Sequence, residues 1–498
     1  MQVTVAVTDP GGSTRDATSG ARDDRAALAA VGALTLAALL LRVSQVHQSL
    51  FGDELWTYQQ VAHHSLTGMF HAIRPPGENA PPLFFVLAWA SAKVGDPTVW
   101  IRFPSLVLGA ATVPVVYVLG RELAGRTAGV IAAALIAVNP FALYYGTEAR
   151  PYATMAFFVA VSTVAIVKAT RTGALPWWVL YVLSAAAAAY SGYTAIFPLA
   201  VQAGWSLWIC RGRLTRPLLA DAAIVLLYVP WLPHLYAKQL AVIGFLEPLT
   251  LHNALRDILR VIVGYPYASV TAIPTVPGLI VLAVCALAGA AALVVGVRTG
   301  QLRVARRGDL WFICALAAAA PVGVALYSSI STDIWDARDL YAAAPAMSVL
   351  LGTLLAAIPS RLRVAAVTAV LATIVFATVR AISPAYSRPA FRVAAHYLDR
   401  VAAPHDPIIV YPSFLRLIDV LPVEFQKPHT VISGAPGRWP PAPSGGVAVA
   451  IVEGRSQDVP STDLPRPSGY ALVGRRQYNG LFPFMLLTYR PVTTSASR

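Results

Sequence analysis

Long apolar runs recur along this chain with only short polar links between most of them, and that pattern leaves few folds open. A helical crossing of the bilayer hydrocarbon takes about 20 mostly apolar residues, and the backbone inside must satisfy its own hydrogen bonds. Runs of that order, some shorter, lie near 27–47, 103–120, 127–143, 153–168, 176–191, 194–210, 218–233, 274–297, 310–328, 340–358 and 364–382. They predict a polytopic α-helical membrane protein with about 11 transmembrane helices. Composition agrees: 57% of the 498 residues are hydrophobic and 12% charged, against roughly 45–50% and 25% in soluble globular chains.

Charge then sets the topology. A net charge of +14 would suggest nucleic acid in a soluble chain, but here no basic stripe interleaved with exposed aromatics is found, and nucleic-acid binding is rejected. Most Lys and Arg fall instead in short links: Arg121 with Arg126, Lys168 with Arg171, then Arg211, Arg213 and Arg216, then Arg298, Arg303, Arg306 and Arg307, and Arg361 with Arg363. If all five links are cytoplasmic, alternate links lie outside, and the eleven runs satisfy that parity. The expectation is a multi-pass protein of the plasma (inner) membrane with a cytoplasmic amino terminus and an extracytoplasmic carboxyl terminus. Residues 81–95, PPLFFVLAWASAKVG, look like a further span, yet counting them would put Arg121 outside. At about 15 residues the segment is short for a crossing, and it is expected to be an interfacial or re-entrant helix on the outer face.

Three parts follow: a polar, disordered cytoplasmic tail at 1–26, a transmembrane catalytic domain at 27–383 beginning with a retained signal anchor, and an extracytoplasmic domain at 384–498. In the last, an amphipathic stretch at 391–401 precedes β-rich runs at 408–411, 447–452 and 484–489, with a Pro/Gly-rich loop over 433–446, which predicts a small α/β domain. The cysteines, Cys210, Cys285 and Cys314, sit in or beside apolar runs and support neither a disulfide framework nor a cysteine metal site. The outer face collects the links at 48–102, 145–153, 234–273 and 335–341. Charge at a membrane boundary is tolerated where it faces water or serves a function, and the adjacent Asp53 and Glu54 in FGDELW are the first candidates for an active site.

The order of motifs adds a resemblance. A first span ending in an Asp-Glu pair, NAPPLFF at 79–85, IRFPS at 101–105, GRELAGR at 120–126, EARPYA at 148–153 and a late RDLY at 338–341 before a Pro-containing span together resemble the GT-C glycosyltransferases. The likeness is to bacterial members similar to protein O-mannosyltransferases and to the aminoarabinose transferase of lipid A. It implies the GT-C fold and transfer of one sugar from a polyprenyl-phosphate donor to a glycan, lipid or protein acceptor at the outer face. Mannose or arabinose is the expected sugar, by analogy with the Ala/Arg/Pro-rich composition of GC-rich bacteria.

The residues fit that chemistry. An acceptor hydroxyl attacking the anomeric carbon needs a base, and Asp53 is the candidate, carried over as the first acid of the pair. Glu54 is a candidate to tune Asp53, orient the sugar or hold a divalent cation, although no cofactor is certain. Arginine forks suit a lipid phosphate, and Arg150 and Arg338, at the outer ends of spans, are the donor-phosphate pair. Glu148 and Tyr152 are placed on the donor sugar, Glu78 and Asn79 on the acceptor side. His63 and His64 read as surface, Lys238 and Arg256 as donor guides or headgroup contacts, and Trp177, Trp178 and Trp231 as interfacial anchors. No P-loop or dinucleotide fingerprint is found, so a nucleotide sugar is not the expected donor. The rival classes are a transporter or flippase of a lipid-linked glycan, which would place charge near the midplane, and a non-catalytic cell-envelope assembly subunit.

Overall fold

The computed structural model describes residues 13–74, 80–236, 246–299, 307–404, 406–411, 417–433, 447–454 and 469–492. Eight of its helices are long and apolar enough to cross a membrane: Arg22–Val43, Pro97–Ala124, Tyr152–Thr172, Thr215–His234, Thr271–Arg298, Gly308–Ile330, Ala337–Ala357 and Ser360–Ala381. They coincide with eight of the eleven apolar runs, and the chain is a multi-pass membrane protein.

The other three runs form shorter helices. The run at 127–143 breaks into Arg126–Ala137 and Pro140–Tyr145, because Asn139 caps the second piece by accepting a hydrogen bond from the Ala142 N–H at 2.9 Å. A proline at the first helical position suits such a restart. The runs at 176–191 and 194–210 become Leu175–Ala189 and Ile196–Ile209. Hydropathy alone does not see these breaks. At the amino terminus the first helix is described from Ser13, so residues 13–26, expected as disordered tail, are helical and continuous with the span Arg22–Val43. The segment at 81–95 contains a helix, Leu83–Ala92. Its ten residues rise only about 15 Å, half the hydrocarbon thickness. It packs in a cluster with Leu50, Val61, Met69 and Ile101 rather than reaching the far side.

Close backbone contact holds the bundle centre. Gly125, at φ 94°, turns the chain between Phe103–Ala124 and Arg126–Ala137. A Cβ on Gly120 would lie 2.7 Å from the Gly129 Cα, so this hairpin closes only because neither residue has a side chain. Small residues play this role where lipid supplies no hydrophobic drive between helices. Tyr152–Thr172 and Ala337–Ala357 are the most enclosed spans, whereas Arg22–Val43, Thr215–His234 and Thr271–Arg298 turn most of their surface outward.

The two ends of the bundle differ in charge. At one end Arg126 pairs with Asp23 at 2.8 Å, Arg121 with Asp24 at 3.3 Å, Lys168 with Glu122 at 2.7 Å, and Arg171 with both Glu122 and Asp309. The basic links at 121–126 and 168–171 thus gather at one end, together with Asp309. The opposite end carries Asp53 and the first residues of Tyr152–Thr172 and Ala337–Ala357.

Beyond Ser360–Ala381 the chain builds a five-stranded sheet from β1 (Ile408–Val410), β2 (Val431–Ser433), β3 (Ala448–Glu453), β4 (Tyr470–Tyr478) and β5 (Phe484–Pro491), in the order β2-β1-β3-β5-β4. The pairs β1/β2 and β1/β3 are parallel, and β3/β5 and β4/β5 antiparallel. The amphipathic helix Phe391–Val401 buries Phe391, Ala394, Ala395 and Leu398, a spacing that puts them on one face. β2 and β4 are additions to the three expected strands. β4, YALVGRRQY, lies at the sheet edge and is mostly exposed, so it lacks an apolar run. Most of the loop expected over 433–446 lies outside the described residues.

This sheet layer packs against the candidate catalytic segment. Phe51 and Leu55 share a buried cluster with Phe391, Leu398, Ile408 and Phe484. Glu424 accepts from the Leu50 N–H at 3.0 Å and pairs with Arg392 at 2.7 Å, while Arg392 donates to Thr98 Oγ1 at 2.7 Å.

Candidate active site

Asp53 opens the helix Asp53–Val61, just after Gly52 at φ 57°. Its neighbour points the other way, because consecutive helical residues project about 100° apart. Asp53 is left partly open, with its side chain 37% exposed, and Glu54 is buried completely.

Glu54 meets Arg102 fork to fork, Nε to Oε1 at 2.7 Å and Nη2 to Oε2 at 2.7 Å. Arg102 spends its other donations on the carbonyls of Val46, Gln48 and Ser49, so that it ties the link after the first span to the start of Phe103–Ala124. Glu54 also accepts from the Ala149 N–H at 2.8 Å and lies 3.7 Å from Arg388. Burial pulls its carboxyl towards the neutral form, but Arg102, Arg388 and these hydrogen bonds outweigh that and hold it below the ordinary carboxylate range. Expected as a catalytic or cation-holding residue, Glu54 instead has both oxygens engaged and no exposed surface: it is a buried strut.

The strut positions the next segment. With the Ala149 N–H on Glu54 and the Ala149 carbonyl accepting from Thr57 Oγ1 at 2.8 Å, residues 147–150 are stitched to the helix Asp53–Val61. Arg150 is thereby brought to 3.9 Å from Asp53, measured from its Nε to Oδ2. Arg338 arrives from the far part of the sequence, in a turn that Asp336 caps by accepting from the Arg338 N–H at 3.0 Å. Its Nη1 donates to Asp53 Oδ2 at 2.9 Å. Tyr152 lies within electrostatic reach of Arg338, Arg150 and Asp53, its ring edge-on to Tyr145 at 4.9 Å.

Glu148 is the opposite of Glu54. It is buried, its Oε1 is approached by the Tyr144 hydroxyl at 3.4 Å, and its Oε2 has no hydrogen-bond partner. Burial first, then the negative charge of Glu54, push its carboxyl up to about 8, so at neutral pH it is mostly a protonated acid and a hydrogen-bond donor. A carboxyl that holds its proton more tightly in the folded protein favours folding fully below pH 4.5, and that contribution is lost as pH rises to about 8. Melting of the purified protein should therefore drop by a few degrees between these limits, and Glu148→Gln should flatten that fall. An equal fall in both proteins would remove Glu148 as its source.

Asp53, Glu148, Arg150, Tyr152 and Arg338 are thus brought together, and Glu54 sits one layer behind them. Glu78, Asn79 and Lys238 lie outside the described residues. Arg256 is taken up by Glu247 at 2.6 Å and Asp257 at 3.0 Å, a structural network rather than a donor guide. Trp178 and Trp231, expected as interfacial anchors, are buried in the protein. Among the described residues no three His, Cys, Asp or Glu side chains gather as a metal site.

Arg102 and Arg388 were not singled out from sequence. Arg388, just past the last span, is buried against Glu54, donates to the Thr147 carbonyl at 3.3 Å and lies 5.1 Å from the centre of the Tyr144 ring. A signal for it existed: Arg102, Arg150, Arg338 and Arg388 all lie at the end that the basic links avoid, and arginine on that side needs a reason.

The structure resembles solved proteins over nearly its whole length. ArnT from Cupriavidus metallidurans in the apo state matches with a TM-score of 0.57 at 14% identity, covering 93% of this chain and 98% of that one. The same protein bound to undecaprenyl phosphate matches with a TM-score of 0.52 at 14% identity, over 94% and 99% of the two chains. The chain has the fold of the GT-C glycosyltransferases. The family described as dolichyl-phosphate-mannose-protein mannosyltransferase matches residues 79–236, a segment holding Arg102, Glu148, Arg150 and Tyr152. That family, like the ArnT whose fold the chain shares, is one of glycosyltransferases. No curated protein matches it.

Proposed function

We propose that this GT-C protein transfers one sugar, mannose or arabinose, from a polyprenyl-phosphate donor to an acceptor hydroxyl at the outer face of the plasma membrane, with Asp53 as base. The observation that carries the reading is an open carboxylate held between two arginines at the end of a membrane bundle: Asp53 with Arg338 at 2.9 Å and Arg150 at 3.9 Å. The fold shared with a protein that binds undecaprenyl phosphate supports the donor class. Charge gathered at the bundle end, not at its middle, favours transfer over transport.

In this reading the acceptor oxygen forms a bond to the anomeric carbon as the bond from that carbon to the phosphate oxygen breaks. The acceptor proton passes to Asp53, and polyprenyl phosphate leaves with the electron pair. Arg338 and Arg150 take the charge that develops on the phosphate, and neutral Glu148 donates a hydrogen bond to the donor. These arginines supply the neutralisation that a divalent cation would otherwise give. Arg338 cannot serve Asp53 and a phosphate equally well, so a donor that draws its fork away leaves Oδ2 open to the acceptor hydroxyl.

Arg150→Lys or Arg338→Lys keeps the charge and loses the planar fork. Affinity for a short-chain polyprenyl phosphate should weaken by roughly tenfold, the scale of one charge-assisted hydrogen bond, with melting nearly unchanged. Unaltered binding with lowered melting would make these arginines scaffold.

The orientation has its own test. With Cys210, Cys285 and Cys314 replaced, a cysteine at Ala471, exposed on β4, should react with an impermeant thiol reagent in intact cells, and one at Arg213, in a basic link, only after lysis. The reverse pattern would put the site inside.

A further inference from the structure

Aromatic rings from three distant parts of the chain meet beside Asp53. Phe51 comes from the link before the catalytic helix, Tyr267 from the link between Leu251–Val263 and Thr271–Arg298, and Phe482 from the turn joining β4 to β5. Ring centres are 5.4 Å apart for Phe51 and Phe482, 5.8 Å for Phe51 and Tyr267, and 6.4 Å for Tyr267 and Phe482. The turn bearing Phe482 is fixed to the bundle by the Leu481 N–H, which donates to the Ser387 carbonyl at 2.8 Å.

Two of these rings are what packing predicts. Phe51 is 5% exposed and joins the cluster under the sheet, and Phe482 packs against it. Tyr267 is different: it is 42% exposed although four aromatic rings surround it. Its planes meet those of Phe51, Tyr144, Tyr265 and Phe482 at 74°, 68°, 63° and 76°, so these contacts are edge-type and not parallel stacks. Its hydroxyl shares a hydrogen bond with Tyr144 and is within electrostatic reach of Glu148, Asp53 and Arg338. An exposed tyrosine held by four neighbouring rings, with its hydroxyl tied to Tyr144, is a preformed platform with little entropy left to lose on binding.

We propose that Tyr267, flanked by Phe482 and Phe51, is an acceptor subsite that takes a sugar ring, so that the acceptor is a saccharide rather than a serine or threonine of a protein. A sugar ring offers an apolar C–H face and a rim of hydroxyls, which matches an aromatic face bordered by carboxyl and guanidinium groups. A ring laid on Tyr267 would bring its hydroxyl rim beside Asp53, which lies within electrostatic reach of the Tyr267 hydroxyl. The inference rests on the glycosyl-transfer reading for the role of the site, but its test reads binding and not turnover.

Saturation-transfer NMR on the detergent-purified full chain provides that test, with a mannose disaccharide, an arabinofuranose disaccharide and a Ser/Thr-containing peptide as probes. Transfer should reach the ring C–H protons of at least one disaccharide and not the peptide. Tyr267→Leu should reduce it by roughly fivefold, the scale of one lost aromatic contact, and Tyr267→Trp should keep it. Phe482→Leu should reduce it less. Silence of both disaccharides, peptide binding in their place, or equal binding by Tyr267→Leu would overturn the proposal. A catalytically competent Asp53→Asn protein would defeat the assigned base and leave this readout unaffected.

Discussion

Asp53→Asn should cut turnover by at least about a hundredfold, the effect usual for a lost general base. Asparagine keeps the size of the side chain and an oxygen that can still accept from Arg338 Nη1, so the arginine need not move far. What it loses is the ability to take a proton. The ion pair it breaks is partly exposed, with Asp53 37% and Arg338 21% accessible, and such pairs contribute little to stability. Melting and donor binding should therefore stay close to those of the native protein while kcat falls. A parallel fall in melting would point to a scaffold role, and near-normal transfer would remove Asp53 as base.

The strut behind it should behave in the reverse way. Arg102→Met leaves Glu54 charged and fully buried with only Arg388 nearby, and Glu54→Leu leaves Arg102 cationic among three carbonyls. Breaking a buried pair from one side costs about 3–5 kcal/mol, because the remaining charge keeps its desolvation penalty. Both single variants should melt far lower or fail to accumulate. The double variant Glu54→Leu with Arg102→Met removes both charges and should recover part of the loss. Thermal unfolding of the three proteins decides it: singles no worse than the double would mean that the pair is not coupled as the geometry implies.

How much of this was legible in sequence differs residue by residue. Asp53, Arg150 and Arg338 stood out because charge at the boundary of a membrane span is costly without a purpose, and all three meet within 3.9 Å. The difference between Asp53 and Glu54 was hidden. Adjacency suggested two like charges in one site, but the first turn of a helix sends them to opposite environments, and the partner that swallows Glu54 lies 48 residues away. Glu148 was named without its proton, since that depends on burial and on Glu54, which only the folded chain brings near. Spans were legible where apolar runs were unbroken. A break was hidden at 127–143, where Asn139 and Pro140 end one helix and start another inside a continuous apolar stretch. The place of Arg388 against Glu54 was visible only as an unexplained arginine on the side that the basic links avoid, because it comes from the part of the chain that reads as a separate layer.

The most direct measurement follows the donor bond itself. Purified full-length protein is incubated with short-chain polyprenyl phosphates carrying labelled mannose or arabinose, together with a disaccharide acceptor, and both free polyprenyl phosphate and sugar-extended acceptor are quantified by mass spectrometry. The account predicts equal amounts of the two products from one of these donors, and their loss in Asp53→Asn. Intact donor with both sugars under conditions in which the protein binds polyprenyl phosphate, or equal product from Asp53→Asn, would contradict it.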